Sequence, residues 1–169
     1  AVQIALESLE ARGYDGLICM TDADAHLPKP GLDHLAGWFA NPTIGAVGAS
    51  ARRSGGLAQE QTHRSMFELL REGESAHDST PFLEGSFMMW RSSGFKSNQL
   101  NINANADDAQ IATQVRLNGL RSIHDGTIQF HDIAPTTPEG QRRQKIRRAQ
   151  GLQRLLLRHK KHWWNKRMG

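Results

Sequence analysis

The 169-residue chain is long enough for one domain with a buried core, and its hydrophobic (38%) and charged (22%) fractions are those of a globular protein. No apolar run reaches the length of a membrane span; the single cysteine, Cys19, excludes an internal disulfide and a cysteine-based metal cluster, and suits a reducing, cytosolic setting. The net charge of +4 hides a division: no acidic residue follows Glu139, whereas residues 140–169 hold 11 of the 21 Lys and Arg, so an acidic body carries a basic tail suited to a nucleotide diphosphate, a lipid headgroup or a nucleic acid.

In chain order, Val2, Ala5, Leu6 and Leu9 have helical spacing, and Gly13 can end that helix. Leu17-Ile18-Cys19-Met20 reads as a strand buried on both faces, with Asp22 and Asp24 following at its carboxyl end, where open α/β sheets bind ligands. In extended backbone these two side chains would share a side, and such a pair of oxygen donors suits a Mg²⁺ or Mn²⁺ that also holds phosphate oxygens. The same spacing is an ordinary way to begin a turn, and the residues alone leave both readings open.

Residues 27–31 read as a Pro-Gly turn, Leu32, Leu35, Ala36 and Phe39 as a short amphipathic helix stopped at Asn41-Pro42, and residues 44–49 as another buried strand whose glycines admit close neighbours. This strand, helix and strand make a parallel-sheet unit. A loop is expected over residues 52–56, then a helix over 59–73 with Met66, Phe67, Leu69 and Leu70 inward. Residues 82–91 read as a strand interrupted at Gly85-Ser86, where either a ligand or a bend would need the glycine.

After a polar, Asn-rich loop, Asp107-Asp108 opens a helix that places Ile111, Ala112 and Val115 inward and ends at Gly119. One aspartate serves as N-cap; the other, held ionised by the helix dipole, could accept a proton from a substrate hydroxyl. Residues 120–130 suggest one strand, or two turning at Asp125-Gly126. His131 beside Asp132 lacks further His or Cys at ligand spacing, which favours an ordinary hydrogen-bonded histidine over a metal ligand. Ala134-Pro135-Thr136 leads into a basic amphipathic helix over 139–163, with Ile146, Ala149, Leu152, Leu156 and Trp163 on one stripe.

Taken in order, these pieces resemble the catalytic domain of family 2 glycosyltransferases of the cellulose synthase and hyaluronan synthase type, over nearly the whole chain. Asp22-Ala23-Asp24 resembles the family's metal-binding Asp-x-Asp, Phe82-Leu83-Glu84-Gly85-Ser86 its Phe-Phe-Cys-Gly-Ser acceptor loop, Ala106-Asp107-Asp108 its Thr-Glu-Asp, and Gln144-Lys145-Ile146-Arg147-Arg148 its Gln-x-x-Arg-Trp, with Gly151 after it. The resemblance implies an α/β fold of GT-A (Rossmann-like) type, a mixed sheet flanked by helices. It implies a metal-dependent, inverting transfer from a nucleotide-diphosphate sugar to a glycan or lipid hydroxyl. In that scheme Asp108 is the base, Asp22 and Asp24 hold a divalent cation (Mg²⁺ or Mn²⁺), Gln144 and Arg147 bind the donor diphosphate, and Phe82, Glu84, Gly85, Ser86 and Arg148 line the acceptor side.

Arg148 stands where the family has tryptophan, which points toward single addition rather than long-chain processivity. The family's nucleoside-binding strand and helix would precede Ala1. Residues 1–139 are thus expected to be the C-terminal part of a GT-A domain, inactive by itself, and 140–169 a basic membrane-proximal helix. An anionic membrane surface is the expected partner of that helix, and the cytoplasmic face of a membrane the expected place of the full-length protein. One rival, an Asp-x-Asp phosphotransferase, normally continues with Gly-Thr or Gly-Val, whereas Ala25-His26 follows here. The other, a non-catalytic nucleic-acid-binding domain, calls for aromatic residues among the basic ones, and the tail has only Trp163 and Trp164, so no nucleic-acid partner is expected.

Overall fold

The computed structural model describes residues 1–54, 58–133 and 137–162. Five helices, α1 (Val2–Ala11), α2 (Lys29–Gly37), α3 (Ala58–His77), α4 (Asp107–Leu117) and α5 (Pro138–Arg158), flank strands β1 (Leu17–Thr21), β2 (Ile44–Ser54), β3 (Phe87–Arg91) and β4 (Arg121–Ile133). The sheet is mixed, in the order β1-β3-β2-β4, with β3 antiparallel to both neighbours and β2 parallel to β4. The β1-α2-β2 unit therefore joins two strands of like direction, but β3 lies between them.

The strand buried on both faces is β3 rather than β1. Met88 and Trp90 enter one core with Leu6, Ile111, Ala112 and Val115, while Phe87 and Met89 enter the other with Leu35, Phe39, Ile123 and Phe130. This period-2 division is what a central strand requires. β1 has β3 as its neighbour at the sheet edge; Leu17, Ile18 and Met20 are half-buried and Cys19 is exposed. Four apolar residues in a row signal burial, but sheet order is set by distant segments, so the pattern alone misassigned the centre.

Several boundaries move for local reasons. Residues 29–31 open α2 instead of forming a separate turn, since proline is tolerated in a first helical turn. β2 runs on through residues 52–54, expected as loop, and Gly55 and Gly56 lie outside the described residues. β4 is one strand: at Asp125 its register against β2 shifts, and the Asp125 carboxylate fixes the bulge by accepting from Thr127 N–H (2.9 Å), Thr127 Oγ1 (2.6 Å) and Trp38 Nε1 (2.7 Å). Gly45 has the close neighbours its position suggested, for a Cβ there would lie 2.6 Å from both Val115 Cγ1 and Leu120 Cβ.

Two amphipathic faces differ from expectation. On α3, Met66, Phe67, Leu69 and Leu70 point outward, 56–70% exposed, because the face toward the protein carries Glu68, Arg71 and Ser75 instead. On α5 the inner seam runs through Gln144, Gly151, Leu152 and Leu155, while Ile146, Ala149 and Leu156 are exposed and Trp163 lies outside the described residues. No described helix is long and apolar enough to cross a membrane.

Candidate active site

A cleft of about 560 Å³ opens beyond the carboxyl end of β1, lined by Asp22, the segment 83–86, the segment 104–108, Arg71, Arg147 and Arg148. The chain folds this way because the β1/β3 pairing continues one rung past the sheet. The Asp22 N–H donates to Ser86 C=O (3.2 Å) and the Ser86 hydroxyl donates to Asp22 Oδ2 (2.8 Å), tying the Asp-x-Asp to the Glu-Gly-Ser loop. Residues 22–25 are not extended: Asp22 C=O accepts from Ala25 N–H (3.2 Å). The turn reading of these residues therefore holds, and the extended-backbone argument for a shared side does not. Asp22 lines the cleft; Asp24 is exposed on the turn and does not line it.

Residues 82–86 are loop rather than interrupted strand, since β3 begins at Phe87. The glycine there meets the catalytic candidate. Gly85 N–H donates to Asp108 Oδ2 (3.1 Å), and a Cβ on Gly85 would lie 2.9 Å from that oxygen and 3.0 Å from the Asp108 Cβ. Asp108 Oδ1 accepts from Ala109 N–H (2.8 Å). Each carboxylate oxygen keeps a lone pair for a substrate hydroxyl. The N-cap of α4 is neither aspartate but Ala106, whose left-handed backbone (φ 67°, ψ 56°) turns the chain so that Asp107 and Asp108 occupy the first helical turn.

Burial raises the Asp108 carboxyl above the ordinary aspartate range and nearby Glu84 adds to this, while Ala109 N–H, Arg148 and Gly85 N–H oppose it. Burial likewise raises Asp107. A carboxylate made more basic, yet held by two backbone donors, is suited to taking a proton.

The inner face of α3 brings Arg71 into the cleft, paired to Glu84 at 3.0 Å. The sequence reading missed Arg71 because it took the apolar side of this helix as the inner one. Behind it, the Ser75 hydroxyl donates to Arg71 C=O (2.6 Å) and accepts His124 N–H (2.8 Å). The His124 ring is buried with neither nitrogen hydrogen-bonded, and its pKa is lowered to about 4 by burial and by Arg71.

From α5, Arg147 and Arg148 reach the cleft; Gln144 lies on the seam and Phe82 on the loop, and neither lines it. Gly151 lets α5 approach α4: a Cβ there would lie 3.1 Å from the Ala106 Cβ. Gln110, also missed, is 4% exposed and braces the cleft loop, accepting from Asn101 N–H (2.9 Å) and donating to Asn101 C=O (3.3 Å) and Ala104 C=O (3.4 Å). His131 exchanges backbone hydrogen bonds with His26 (2.8 Å each way), and Trp163, Trp164, Lys166 and Arg167 lie outside the described residues, as does the 134–136 connection.

No cluster of three His, Cys, Asp or Glu side chains that could hold a metal occurs among the described residues. Of the two oxygen donors expected to hold a cation, Asp22 faces the cleft, where a hard ion such as Mg²⁺ or Mn²⁺ would complete its coordination with water and substrate phosphate, and Asp24 stands on the turn beside it, outside the cleft lining.

No protein-family pattern matches the chain, and no curated protein matches it. Among solved structures, the mannosyltransferase PcManGT from Pyrobaculum calidifontis, in complex with GDP-mannose and Mn²⁺, superposes with a TM-score of 0.72 at 27% identity over 89% of this chain. The match spans 41% of that protein, so the mixed α/β fold described here corresponds to part of a glycosyltransferase.

Proposed function

We propose that the chain carries the acceptor and catalytic half of a metal-dependent, inverting glycosyltransferase of family 2 type. The observation behind this reading is that one cleft gathers Asp22, Glu84-Gly85-Ser86, Asp108 and Arg147-Arg148 from four separate parts of the chain, in a fold shared with a nucleotide-sugar-binding transferase.

In this mechanism the acceptor hydroxyl loses its proton to the Asp108 carboxylate as its oxygen bonds to the anomeric carbon, and the bond from that carbon to the diphosphate oxygen breaks on the opposite face. The proton ends on Asp108, and the departing diphosphate takes the bonding electrons. Gly85 N–H and Ala109 N–H fix the carboxylate for this transfer. Arg147 offsets charge growing on the leaving group, and Glu84 to Ser86, with Arg148, form the acceptor side. Asp22 and Asp24 would hold Mg²⁺ or Mn²⁺, which supplies further neutralisation of the diphosphate when bound. The donor is a nucleotide-diphosphate sugar and the acceptor a glycan or lipid hydroxyl.

The test is release of nucleoside diphosphate by the full-length protein from a panel of nucleotide-sugars with a lipid or glycan acceptor. Acceptor-dependent release that disappears with chelator supports the reading; release that is indifferent to chelator, or absent with every donor, rejects it.

A further inference from the structure

Glu84 is next in sequence to the glycine that touches Asp108, and its carboxylate is held from another element. It pairs with Arg71 of α3 at 3.0 Å, with both side chains largely out of water, 17% exposed for Arg71 and 18% for Glu84. On the same peptide unit, Gly85 N–H donates to Asp108 Oδ2 (3.1 Å). Arg71 is itself anchored from behind: its C=O accepts the Ser75 hydroxyl (2.6 Å), which accepts His124 N–H of β4 (2.8 Å). A line of contacts therefore runs from the sheet through α3 and Glu84 to Asp108.

Charge makes this line more than a brace. The negative charge of Glu84 favours the protonated form of Asp108, the form that cannot take a proton. Arg71 places the opposite charge on Glu84, in a setting where little water screens either. The other charges in the cleft lining are Asp107 beside Asp108 on α4, Arg147 and Arg148 from α5, and Asp22 after β1. His124, which feels Arg71 and Glu84 as well as Glu68 and Asp125, is uncharged above a pKa of about 4.

We propose that Arg71 is a positioning residue for the transfer: by holding Glu84 it seats the neighbouring Gly85 N–H on Asp108 and offsets the negative charge beside the base. The assignment rests on the reading of Asp108 as base and gives the ion pair its purpose, since Glu84 stays fixed on the acceptor side without locking Asp108 in its protonated form. A guanidinium suits this role because it stays charged throughout the working pH range.

The experiment is a carboxyl titration by ¹³C NMR of the full-length protein labelled at its aspartates, with the Asp108 signal identified by its loss in Asp108→Asn. Arg71→Met should raise the Asp108 midpoint by roughly one pH unit, Glu84→Gln should lower it, and Arg71→Lys should stay near the parent. The paired change Arg71→Met with Glu84→Gln removes both charges and should also return the midpoint toward the parent. Both single changes break the same ion pair, so a purely structural role would move the midpoint in one direction for both; such a common shift, or no shift in either, would overturn the proposal. Where Arg71→Met lowers Tm too far for titration, the difference between Glu84→Gln and the paired variant carries the same test. The acid limb of kcat/KM should follow the midpoint through the series. A midpoint that moves as stated while the limb stays fixed would support the control of Asp108 by Arg71 and reject Asp108 as the base.

Discussion

Gly85→Ala tests the contact on which the proposed proton transfer depends. The added methyl would meet Asp108 Oδ2 at 2.9 Å, its Cβ at 3.0 Å and its Cγ at 3.1 Å. These atoms belong to a carboxylate held at both oxygens by backbone N–H groups, so it cannot swing aside freely. Restoring ordinary contact requires a separation of roughly half an ångström, which also lengthens the Gly85 N–H bond to Asp108. A 1 Å error in a reacting group costs on the order of a hundredfold, so kcat should fall about tenfold. Overpacking of this size should lower stability by about 1–3 kcal/mol. Steady-state transfer by the full-length variant, with its Tm measured in parallel, checks both. A fall in kcat with the donor KM nearly unchanged is expected. Wild-type kcat, or a loss confined to the donor KM, would refute the argument that Gly85 positions the base.

Three further outcomes are expected. By the resemblance of Asp22-Ala23-Asp24 to a metal-binding Asp-x-Asp, Asp24→Ala should abolish Mn²⁺-dependent turnover and Asp22→Ala should reduce it, whereas full activity of the Asp24 variant would remove the metal assignment. His124 is neutral when folded, with a pKa of about 4 against 6.5 unfolded, so its stabilisation is complete above 6.5 and is lost as pH falls toward 4. That loss is about 3 kcal/mol, and urea unfolding across this range should show a shallower acid slope in His124→Phe; an identical slope would contradict the buried, unpartnered ring. Gly151→Val should push α5 off the N-terminus of α4, lowering Tm and raising the donor KM by moving Arg147, and an unchanged donor KM would separate α5 from the donor site.

What the sequence revealed and what it concealed have physical causes. Glycine ends, helix starts and the order of motifs depend on neighbouring residues, so α1, α4 and the segments that meet in the cleft were legible. The edge position of β1 was not, because an apolar run does not state how many strands will lie beside it. On α3 the pattern was read with the usual assumption that apolar residues face their own chain, which hid Arg71 and placed Phe67 and Leu70 inside. Gln110 was lost among the polar residues of a helix start, although a glutamine amid Ile111, Ala112 and Val115 could have marked a buried hydrogen-bonding role. The Asp-x-Asp spacing was found, but its turn geometry becomes visible only with the Ala25 N–H bond to Asp22 C=O.

The central claim is that Asp108 takes the acceptor proton, and the paired substitutions Asp108→Asn and Asp107→Asn address it in single-turnover transfer by the full-length protein, with donor binding followed by calorimetry. The amide at 108 keeps the side chain's shape and one acceptor oxygen but cannot receive the proton. Asp108→Asn should therefore retain donor affinity while transfer falls by about 10²–10⁴, and Asp107→Asn should be mild. Because burial raises the Asp108 pKa, the acid limb of kcat/KM in the parent should also lie above the ordinary aspartate range. Transfer that survives Asp108→Asn and fails in Asp107→Asn would move the base to the neighbouring residue and contradict the account.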